Sequence, residues 1–308
     1  MKPKIIFLVG PTAVGKTKVA AILARRLNGQ ILSCDSMQVY KKMDIITSKP
    51  GAYLRKRIKH RLINLLEPTK EYDVSRYRKD ALKNISQTLK EEKLPIFVGG
   101  TGLYVSVLID GIFKAKAQDK GLRRRLYRQG ELKGPQHLYK KLQKIDPPAA
   151  AKIHPHDFRR IIRALEVFSL TGKPISWLQQ KRRGLADEYD IGIFCLNMSR
   201  DKLYQRIDRR VERMFKQGLL SEVKKILRLN LSKTAYQAIG IRELKGYFDG
   251  QYGLREAKRQ MQRNTRRYAK RQLTWFRKDK RINWIYINDK DKPGETTKRI
   301  ISRWKELY

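Results

Sequence analysis

The sequence predicts an α/β fold in which a parallel β-sheet is flanked by helices and interrupted by a helical insertion. Short apolar runs rich in Ile, Val and Phe alternate with stretches whose apolar residues recur at helical spacing. The strands of a parallel sheet are buried on both faces and appear as such runs, while the helices between them cover the sheet. Of the 308 residues, 41% are hydrophobic, which is enough to bury a core and to form a larger and a smaller domain.

The individual elements follow from these patterns along the chain. The apolar runs predict strands over residues 5–9, 30–34, 94–98, 191–197 and 282–287. Helical periodicity predicts helices over residues 18–27, 76–90, 201–216, 221–229, 254–277 and 296–307. Ser75 is the expected N-cap of the helix over residues 76–90, because a serine hydroxyl can accept a hydrogen bond from a backbone N–H in the first turn.

The segment between residues 114 and 188 has a different pattern, with helices dense in basic residues and breaks at residues 147–148 and 172–174. A strand-like run returns at residue 191, so this segment is predicted to interrupt the sheet domain as an insertion. We therefore expect residues 1–113 to form the first part of the core and residues 114–188 to form the insertion. Residues 189–308 would then complete the core with a strand and a helical C-terminal region.

A glycine-rich turn follows the first predicted strand and carries the pattern G-x-x-x-x-G-K-[ST]. Its residues are Gly10, Pro11, Thr12, Ala13, Val14, Gly15, Lys16 and Thr17. Glycines let backbone N–H groups converge on phosphate oxygens, Lys16 adds a positive charge, and Thr17 can place its hydroxyl on Mg²⁺ at the start of a helix. This context predicts a P-loop NTPase-like sheet and a ligand with at least two phosphates.

The chain is strongly basic, with 71 Lys and Arg against 29 Asp and Glu and a formal net charge of +42. Such a field attracts polyanions, so nucleic acid is the expected partner; a solvated basic surface without a binding role is the alternative. Two basic clusters lie in the insertion, one at residues 123–128 and one at residues 159–163, and a basic stripe covers residues 255–281. Separated clusters favour a clamp around RNA over a flat patch.

Membrane and disulfide-stabilised proteins are disfavoured. The first apolar run spans five residues before Gly10, too few for a secretory signal, and no stretch approaches a membrane span. A cytoplasmic protein is expected. Cys34 and Cys195 are isolated, without the C-x-x-C spacing of a zinc site, and both are expected to be buried in strands.

Polar residues and glycines follow two of the predicted strands. Asp35 directly follows the run at 30–34, and the sequence G-G-T-G over residues 99–102 follows the run at 94–98. Ligands of parallel sheets gather at these carboxyl ends. P-loop kinases and ATPases usually carry an Asp for Mg²⁺ at such a strand end, whereas the run at 94–98 ends in glycines. Asp35 is therefore either a general base for an incoming nucleophile or an Asp that forms a turn.

Five motifs occur in a fixed order. They are G-P-T-A-V-G-K-T at residues 10–17, D-S-M-Q-V-Y at 35–40, G-G-T-G-L-Y at 99–104, R-I-D-R-R-V-E-R-M at 206–214 and T-R-R-Y-A-K-R-Q-L-T-W-F-R at 265–277. Together they resemble the bacterial tRNA dimethylallyltransferase (tRNA isopentenyltransferase) family from the first strand to about Arg277. Two departures are Ile241, where the family often has Tyr, and the lack of the zinc-finger extension of eukaryotic relatives.

The resemblance implies transfer of a dimethylallyl group from dimethylallyl diphosphate to N6 of adenosine 37, beside the anticodon of certain tRNAs. It implies that Asp35 accepts the N6 proton, that Thr101 hydrogen-bonds the substrate near the reacting centre, and that Mg²⁺ and residues 12–17 hold the diphosphate. A cation beside the leaving diphosphate stabilises the transition state. Arg210 is expected in this role, with Arg206 as the alternative on the same helix face.

The resemblance also implies the contacts to tRNA. The target base leaves its stack and enters the site, where it and its neighbours are expected to meet Asp35, Ser36, Met37, Gln38 and Thr101. The insertion is expected to hold the anticodon stem-loop through Arg123, Arg159, Arg160, Ile161, Ile162 and Arg163. The free protein is expected to be a monomer.

Two other functions stay open at the level of sequence. A P-loop kinase of a small molecule or nucleoside would hold ATP in the glycine-rich turn and use Asp35 to activate a hydroxyl. A non-catalytic RNA-binding module would use the turn only as a structural element. Turnover with ATP and with dimethylallyl diphosphate plus tRNA separates the three functions. The transferase consumes the allylic donor, the kinase consumes ATP, and the RNA-binding module gives no modified adenosine.

Overall fold

The structure is a computed structural model that describes residues 2–113 and 119–308. It divides into two compact units: a core unit of Met1–Ile109 and Glu188–Tyr308, and an insertion unit of Asp110–Asp187. The predicted first residue of the insertion, Lys114, lies outside the described residues.

The core unit is built on a sheet with the strands β1 Lys4–Val9, β2 Gly29–Cys34, β3 His60–Arg61, β4 Leu94–Gly99, β5 Asp190–Asn197 and β6 Ile282–Tyr286. Across the described residues these six strands run in the order β3-β2-β4-β1-β5-β6, and every neighbouring pair is parallel. The predicted α/β fold with a parallel sheet is confirmed. The sequence did not predict β3, because two residues are too few to carry a recognisable pattern.

Helices flank this sheet and make up the insertion. In the core unit they are α1 Lys16–Arg26, α2 Ala52–Arg57, α3 Val74–Lys90, α4 Gly102–Ile109, α10 Arg200–Lys216, α11 Leu219–Leu227, α12 Ile241–Phe248, α13 Leu254–Phe276 and α14 Pro293–Leu307. In the insertion unit they are α5 Lys120–Lys133, α6 Pro135–Ile145, α7 Pro147–Ala150, α8 Phe158–Thr171 and α9 Ile175–Gln180. The predicted helices agree with these bounds to within three residues at each end.

Both faces of the sheet are buried, as the uninterrupted apolar runs require. Ile6 and Leu8 of β1 pack in one cluster with Leu23 of α1 and Trp304 of α14. Phe7, which points to the opposite face, stacks on Phe97 of β4 with ring centroids 4.8 Å apart. Burial of these side chains fixes the carboxyl ends of β1, β2 and β4 beside one another, and that edge is where ligands of parallel sheets bind.

The start of α3 differs from the prediction. The N-cap is Asp73, whose carboxylate accepts a hydrogen bond from the backbone N–H of Arg76 at 2.8 Å. The predicted N-cap, Ser75, lies inside the first turn. The prediction was wrong because Val74 enters the helix, and a carboxylate at the N-cap additionally complements the helix dipole.

Both cysteines lie in the sheet of the core unit. Cys34 and Cys195 are buried in β2 and β5, as predicted. Within the described ranges, no helix is long and apolar enough to cross a membrane.

Candidate active site

A cavity of about 1260 Å³ opens at the carboxyl ends of β1, β2 and β4 in the core unit. It brings together segments that are far apart in the sequence. The predicted site residues along its lining are Thr12, Ala13, Val14, Gly15, Lys16, Thr17, Asp35, Ser36, Met37, Gln38, Arg206 and Arg210. Among described residues, therefore, most of the core-unit residues proposed from sequence face one cavity.

The turn after β1 has the backbone shape of an anion cradle. Gly10, Ala13 and Gly15 all have positive φ, at 139°, 66° and 108°. Alternation of such residues with ordinary ones turns successive N–H groups towards one point, and α1 begins directly afterwards at Lys16. Ala13 bears a side chain in the left-handed region, which costs of order 1 kcal/mol and is typical of ligand-binding turns.

Lys16 bends back over this turn. Its ammonium Nζ donates hydrogen bonds to the carbonyl oxygens of Gly10 at 2.8 Å and Pro11 at 2.7 Å. Burial, followed by the nearby positive charge of Arg210, lowers the pKa of Lys16 to about 8, although Asp35 acts in the opposite direction. Lys16 is therefore mostly protonated at pH 7 but loses its proton within an accessible pH range, and a bound anion would favour its charged form.

Two arginines of α10 reach the same turn. Arg206 donates to the carbonyl oxygen of Val14 at 3.4 Å and pairs with Asp289 at 3.4 Å. Arg210 donates through Nε to the hydroxyl of Ser48 at 2.9 Å, and burial lowers the pKa of its guanidinium. Arg206 thus contacts the turn itself, while Arg210 is the arginine whose charge acts on both Lys16 and Asp35.

Asp35 forms a turn at the end of β2. Its Oδ1 accepts hydrogen bonds from the backbone N–H groups of Met37 at 2.9 Å and Gln38 at 3.3 Å. The turn-forming interpretation from the sequence is therefore correct. It is compatible with a role in proton transfer, because both bonds use the same carboxylate oxygen and the side chain still lines the cavity.

Thr101 joins the glycine-rich segment after β4 to the Asp35 turn. Its Oγ1 accepts a hydrogen bond from the N–H of Ser36 at 3.1 Å, and its own N–H donates to the carbonyl of Cys34 at 3.2 Å. Tyr268 on α13 lies beside the Thr101 side chain, and burial raises the pKa of Tyr268. Thr101 is thus held beside Asp35 by bonds to the residues on either side of it, Cys34 and Ser36.

Two further residues at this site were missed by the sequence analysis. Gln272 of α13 is 5% exposed and bonds to the backbone of Thr12 and Gly100. Glu222 of α11 accepts hydrogen bonds from three successive N–H groups in the cavity-lining residues 44–46. A signal existed for Gln272, since it is a polar residue on the buried stripe of α13 that also contains Ala269 and Phe276.

Within the insertion unit the candidate RNA contacts fall into three groups. Arg159 and Arg160 are exposed on α8. The prediction that Ile161 and Ile162 contact RNA is wrong for their side chains, which are 0% and 1% exposed in the core of this unit. An amphipathic helix cannot present five successive residues, 159–163, to one ligand, so the hydrophobic pair faces inward.

Arg123 and Arg163, the other two predicted contacts, pair with one buried carboxylate. Arg123 Nη2 and Arg163 Nη1 lie 2.8 and 2.7 Å from Oε2 of Glu166. Glu166 is fully buried, so the pair of arginines neutralises a charge that would otherwise be costly inside the unit. Both arginine side chains remain about one-third exposed.

Metal ligands were predicted only at Thr17. Its side chain is exposed at the start of α1 and lines the cavity. Among residues 2–113 and 119–308, no group of three or more His, Cys, Asp or Glu is arranged to hold a metal ion. Mg²⁺ needs no such cluster when phosphate oxygens and water supply most of its ligands, so the residues present fit a metal that arrives with a diphosphate.

Comparisons with known proteins agree on one family. A family model described as IPP transferase matches residues 38–279. The chain is 46% identical to a tRNA dimethylallyltransferase from Natranaerobius thermophilus, over 99% of this chain and 92% of the relative. It is 42% identical to one from Alkaliphilus oremlandii, over 99% and 98%.

Solved structures give the same result. A tRNA isopentenylpyrophosphate transferase from Bacillus halodurans is 40% identical with a TM-score of 0.72, and the match covers 99% of this chain and 98% of the other. A eukaryotic dimethylallyltransferase acting on tRNA is 30% identical with a TM-score of 0.84, covering 99% of this chain and 79% of the other.

Proposed function

This chain belongs to the IPP transferase family, and from that premise we propose that it transfers a dimethylallyl group from dimethylallyl diphosphate to N6 of adenosine 37 in tRNA. One observation carries the proposal for these residues. The phosphate-binding turn, the Asp35 turn and Arg210 meet in a single cavity, beside a strand that ends in Gly99. The cavity would thereby offer a binding turn for a diphosphate donor and a carboxylate that accepts the nucleophile's proton. It does so without the strand-end Asp that ATP-hydrolysing enzymes use.

The donor side of the reaction is assigned to the turn at residues 10–17. The bond between C1 of the dimethylallyl group and the diphosphate oxygen breaks, and negative charge grows on the departing diphosphate. Backbone N–H groups at the start of α1, together with Lys16 and Arg210, would stabilise that charge. Mg²⁺ would be held by the Thr17 hydroxyl and phosphate oxygens, and its chemistry there is to neutralise the leaving group.

The acceptor side is assigned to Asp35 and Thr101. N6 of adenine is a weak nucleophile because its lone pair is delocalised into the ring. As the bond from N6 to C1 forms, the carboxylate of Asp35 would take the N6 proton. The Asp35–Gln38 turn and Thr101 are fixed to one another through the bond from Ser36 N–H to Thr101 Oγ1, which favours a preorganised pocket for an extruded base.

Binding of the tRNA is assigned largely to positive charge. The net charge of +42 favours rapid, salt-dependent capture of RNA. Arg159 and Arg160, exposed at the start of α8, are the proposed contacts to the anticodon stem-loop, with Arg123 and Arg163 alongside them. The free protein is proposed to be a monomer.

The proposal is tested by turnover. Purified protein is incubated with Mg²⁺ and unmodified tRNA, together with either dimethylallyl diphosphate or ATP, and the digested nucleosides are analysed by mass spectrometry. We expect N6-dimethylallyladenosine and one diphosphate released per modified base. Consumption of ATP with unmodified tRNA would instead support a kinase, and RNA binding without consumption of either donor would support a non-catalytic module.

A further inference from the structure

The side-chain amide of Gln272 bridges two loops of the candidate site. Its Oε1 accepts a hydrogen bond from the backbone N–H of Thr12 at 2.9 Å. Its Nε2 donates to the carbonyl oxygen of Gly100 at 2.9 Å. One buried side chain on α13 therefore connects the phosphate-binding turn to the segment that carries Thr101, across a sequence separation of 260 and 172 residues.

The side-chain amide of Gln272 carries the one acceptor and the one donor that these two backbone partners require. The Thr12 N–H can only donate and the Gly100 carbonyl can only accept, so the bridge needs one acceptor and one donor on the same rigid group. Neither a carboxylate nor an apolar side chain of equal length meets both requirements. Loss of the bond to Gly100 leaves an unpaired carbonyl in a buried residue, which is costlier than the bond itself.

Packing leaves the bridge little freedom to move. Its neighbours on the buried stripe of α13, Ala269 and Phe276, are 0% and 1% exposed. A Cβ atom at position 100 would lie 2.0 Å from Nε2 of Gln272, and one at position 102 would lie 2.2 Å from the indole ring of Trp275. The glycines of the G-G-T-G sequence thus let α13 approach this segment closely.

The bridge continues to the acceptor side of the site. Thr101 follows Gly100 and accepts a hydrogen bond from Ser36, which adjoins Asp35. A continuous path therefore runs from the turn at Thr12, through Gln272 and Gly100, to the Asp35 turn. Because Thr12 N–H is used in this path, the phosphate-binding N–H groups of the turn begin at Ala13.

We propose that Gln272 is a positioning residue for the transfer reaction, which holds the diphosphate-binding turn and the acceptor side at a fixed separation. The proposal rests on the proposed function. A bimolecular transfer depends steeply on the placement of its two reactants, and an error of about 1 Å can reduce the rate on the order of 100-fold. Gln272 would act without touching either substrate.

Two substitutions test the bridge, with a matched control. Gln272→Glu keeps an acceptor for Thr12 N–H but sets a carboxylate oxygen against the Gly100 carbonyl. Gln272→Met keeps the length and removes both bonds. Gln262→Met is the control, because Gln262 lies on the same helix, bonds instead to Glu212 at 3.5 Å, and does not line the cavity.

The readout is the single-turnover rate constant, measured with tRNA and dimethylallyl diphosphate both saturating. We expect it to fall about 10- to 100-fold in both Gln272 variants, with tRNA affinity unchanged within about twofold and Gln262→Met close to wild type. Hydrogen exchange at the Thr12 amide supplies a readout that needs no activity. We expect faster exchange in Gln272→Met than in the wild type or in Gln272→Glu.

Four outcomes would overturn the proposal. In the first, the single-turnover reaction of the Gln272 variants has a smaller amplitude but an unchanged rate constant. This result would show a purely structural role, in which fewer molecules fold but the folded ones react normally. Unchanged Thr12 exchange in Gln272→Met would show that the bridge does not hold the turn. An inactive wild type would overturn the proposed function and this inference with it, whereas an active wild type with two fully active Gln272 variants would overturn this inference alone.

Discussion

The ammonium of Lys16 should make diphosphate binding depend on pH within an accessible range. Burial and the charge of Arg210 lower its pKa to about 8. The protonated fraction then falls from roughly ten in eleven at pH 7 to roughly one in eleven at pH 9. Dimethylallyl diphosphate is fully ionised throughout most of this interval, since the terminal group of a phosphate ester loses its second proton near pH 6. If the ammonium form alone binds, affinity should weaken about tenfold over those two pH units.

The measurement is a calorimetric titration with dimethylallyl diphosphate at pH 7, 8 and 9. Lys16→Arg is the control, because a guanidinium stays protonated over the whole range. We expect a steep pH dependence in the wild type and a nearly flat one in the variant. Repeating the wild-type titration in buffers of different ionisation enthalpy should reveal proton uptake on binding near pH 8.

The stability of the fold should respond to pH in the opposite direction. Because the pKa of Lys16 is lowered by folding from 10.5 to about 8, the unfolded chain binds more protons between these values, and through this group stability rises with pH in that window. In urea unfolding, the wild type should therefore gain stability relative to Lys16→Met between pH 8 and 10. For the binding prediction, a wild-type diphosphate affinity that is equal at pH 7 and 9 would refute the claim that the Lys16 ammonium controls binding.

Three further predictions concern separate parts of the site. Asp35→Asn should abolish transfer while tRNA binding persists, because the amide cannot accept the N6 proton; a labelled-tRNA assay with normal turnover would contradict this. Neutralising Arg159 and Arg160 to Gln should lower the log–log salt slope of tRNA binding by about 1.5, and an unchanged slope would exclude direct phosphate contacts. Glu222→Gln should reduce the free energy of unfolding by about 1–3 kcal/mol and increase hydrogen exchange in residues 44–46; unchanged exchange there would show that the carboxylate does not hold this segment.

Matched variants make these results specific. Arg25→Gln with Arg26→Gln removes the same charge from the exposed end of α1, so the salt slope should change less than in the α8 variant. Asp73→Asn keeps an N-cap acceptor on α3 and controls for the loss of one carboxylate, with transfer expected to remain.

The sequence predicted the fold well wherever local pattern determines structure. The apolar runs correspond to β1, β2, β4, β5 and β6. Strands that are buried on both faces of a parallel sheet are apolar at nearly every position, so an uninterrupted apolar run identifies them. The glycine-rich turn at residues 10–17 was predictable for a similar reason, since its glycines and Lys16 are adjacent in the chain; its binding of phosphate stays a prediction. Short elements such as β3 lack enough residues to show a period.

Long-range contacts were much harder to predict. The pairing of Gln272 with Thr12 and Gly100 depends on how α13 lies against the sheet, which no window of sequence contains. The same holds for the carboxylate of Glu222 on residues 44–46. The error at Ile161 and Ile162 had a different cause. The basic cluster at residues 159–163 was treated as one continuous contact surface, although successive residues of a helix point to different faces.

The central claim is that the turn at residues 10–17 holds the departing diphosphate of an allylic donor while Asp35 receives the proton of the attacking amine. A crystal structure with an unreactive thiolodiphosphate analogue of the donor and an anticodon stem-loop tests it most directly. We predict the diphosphate on the N–H groups of residues 13–17, with the Asp35 carboxylate within hydrogen-bond reach of adenine N6. A diphosphate bound away from this turn, or an N6 amine remote from Asp35, would contradict the claim.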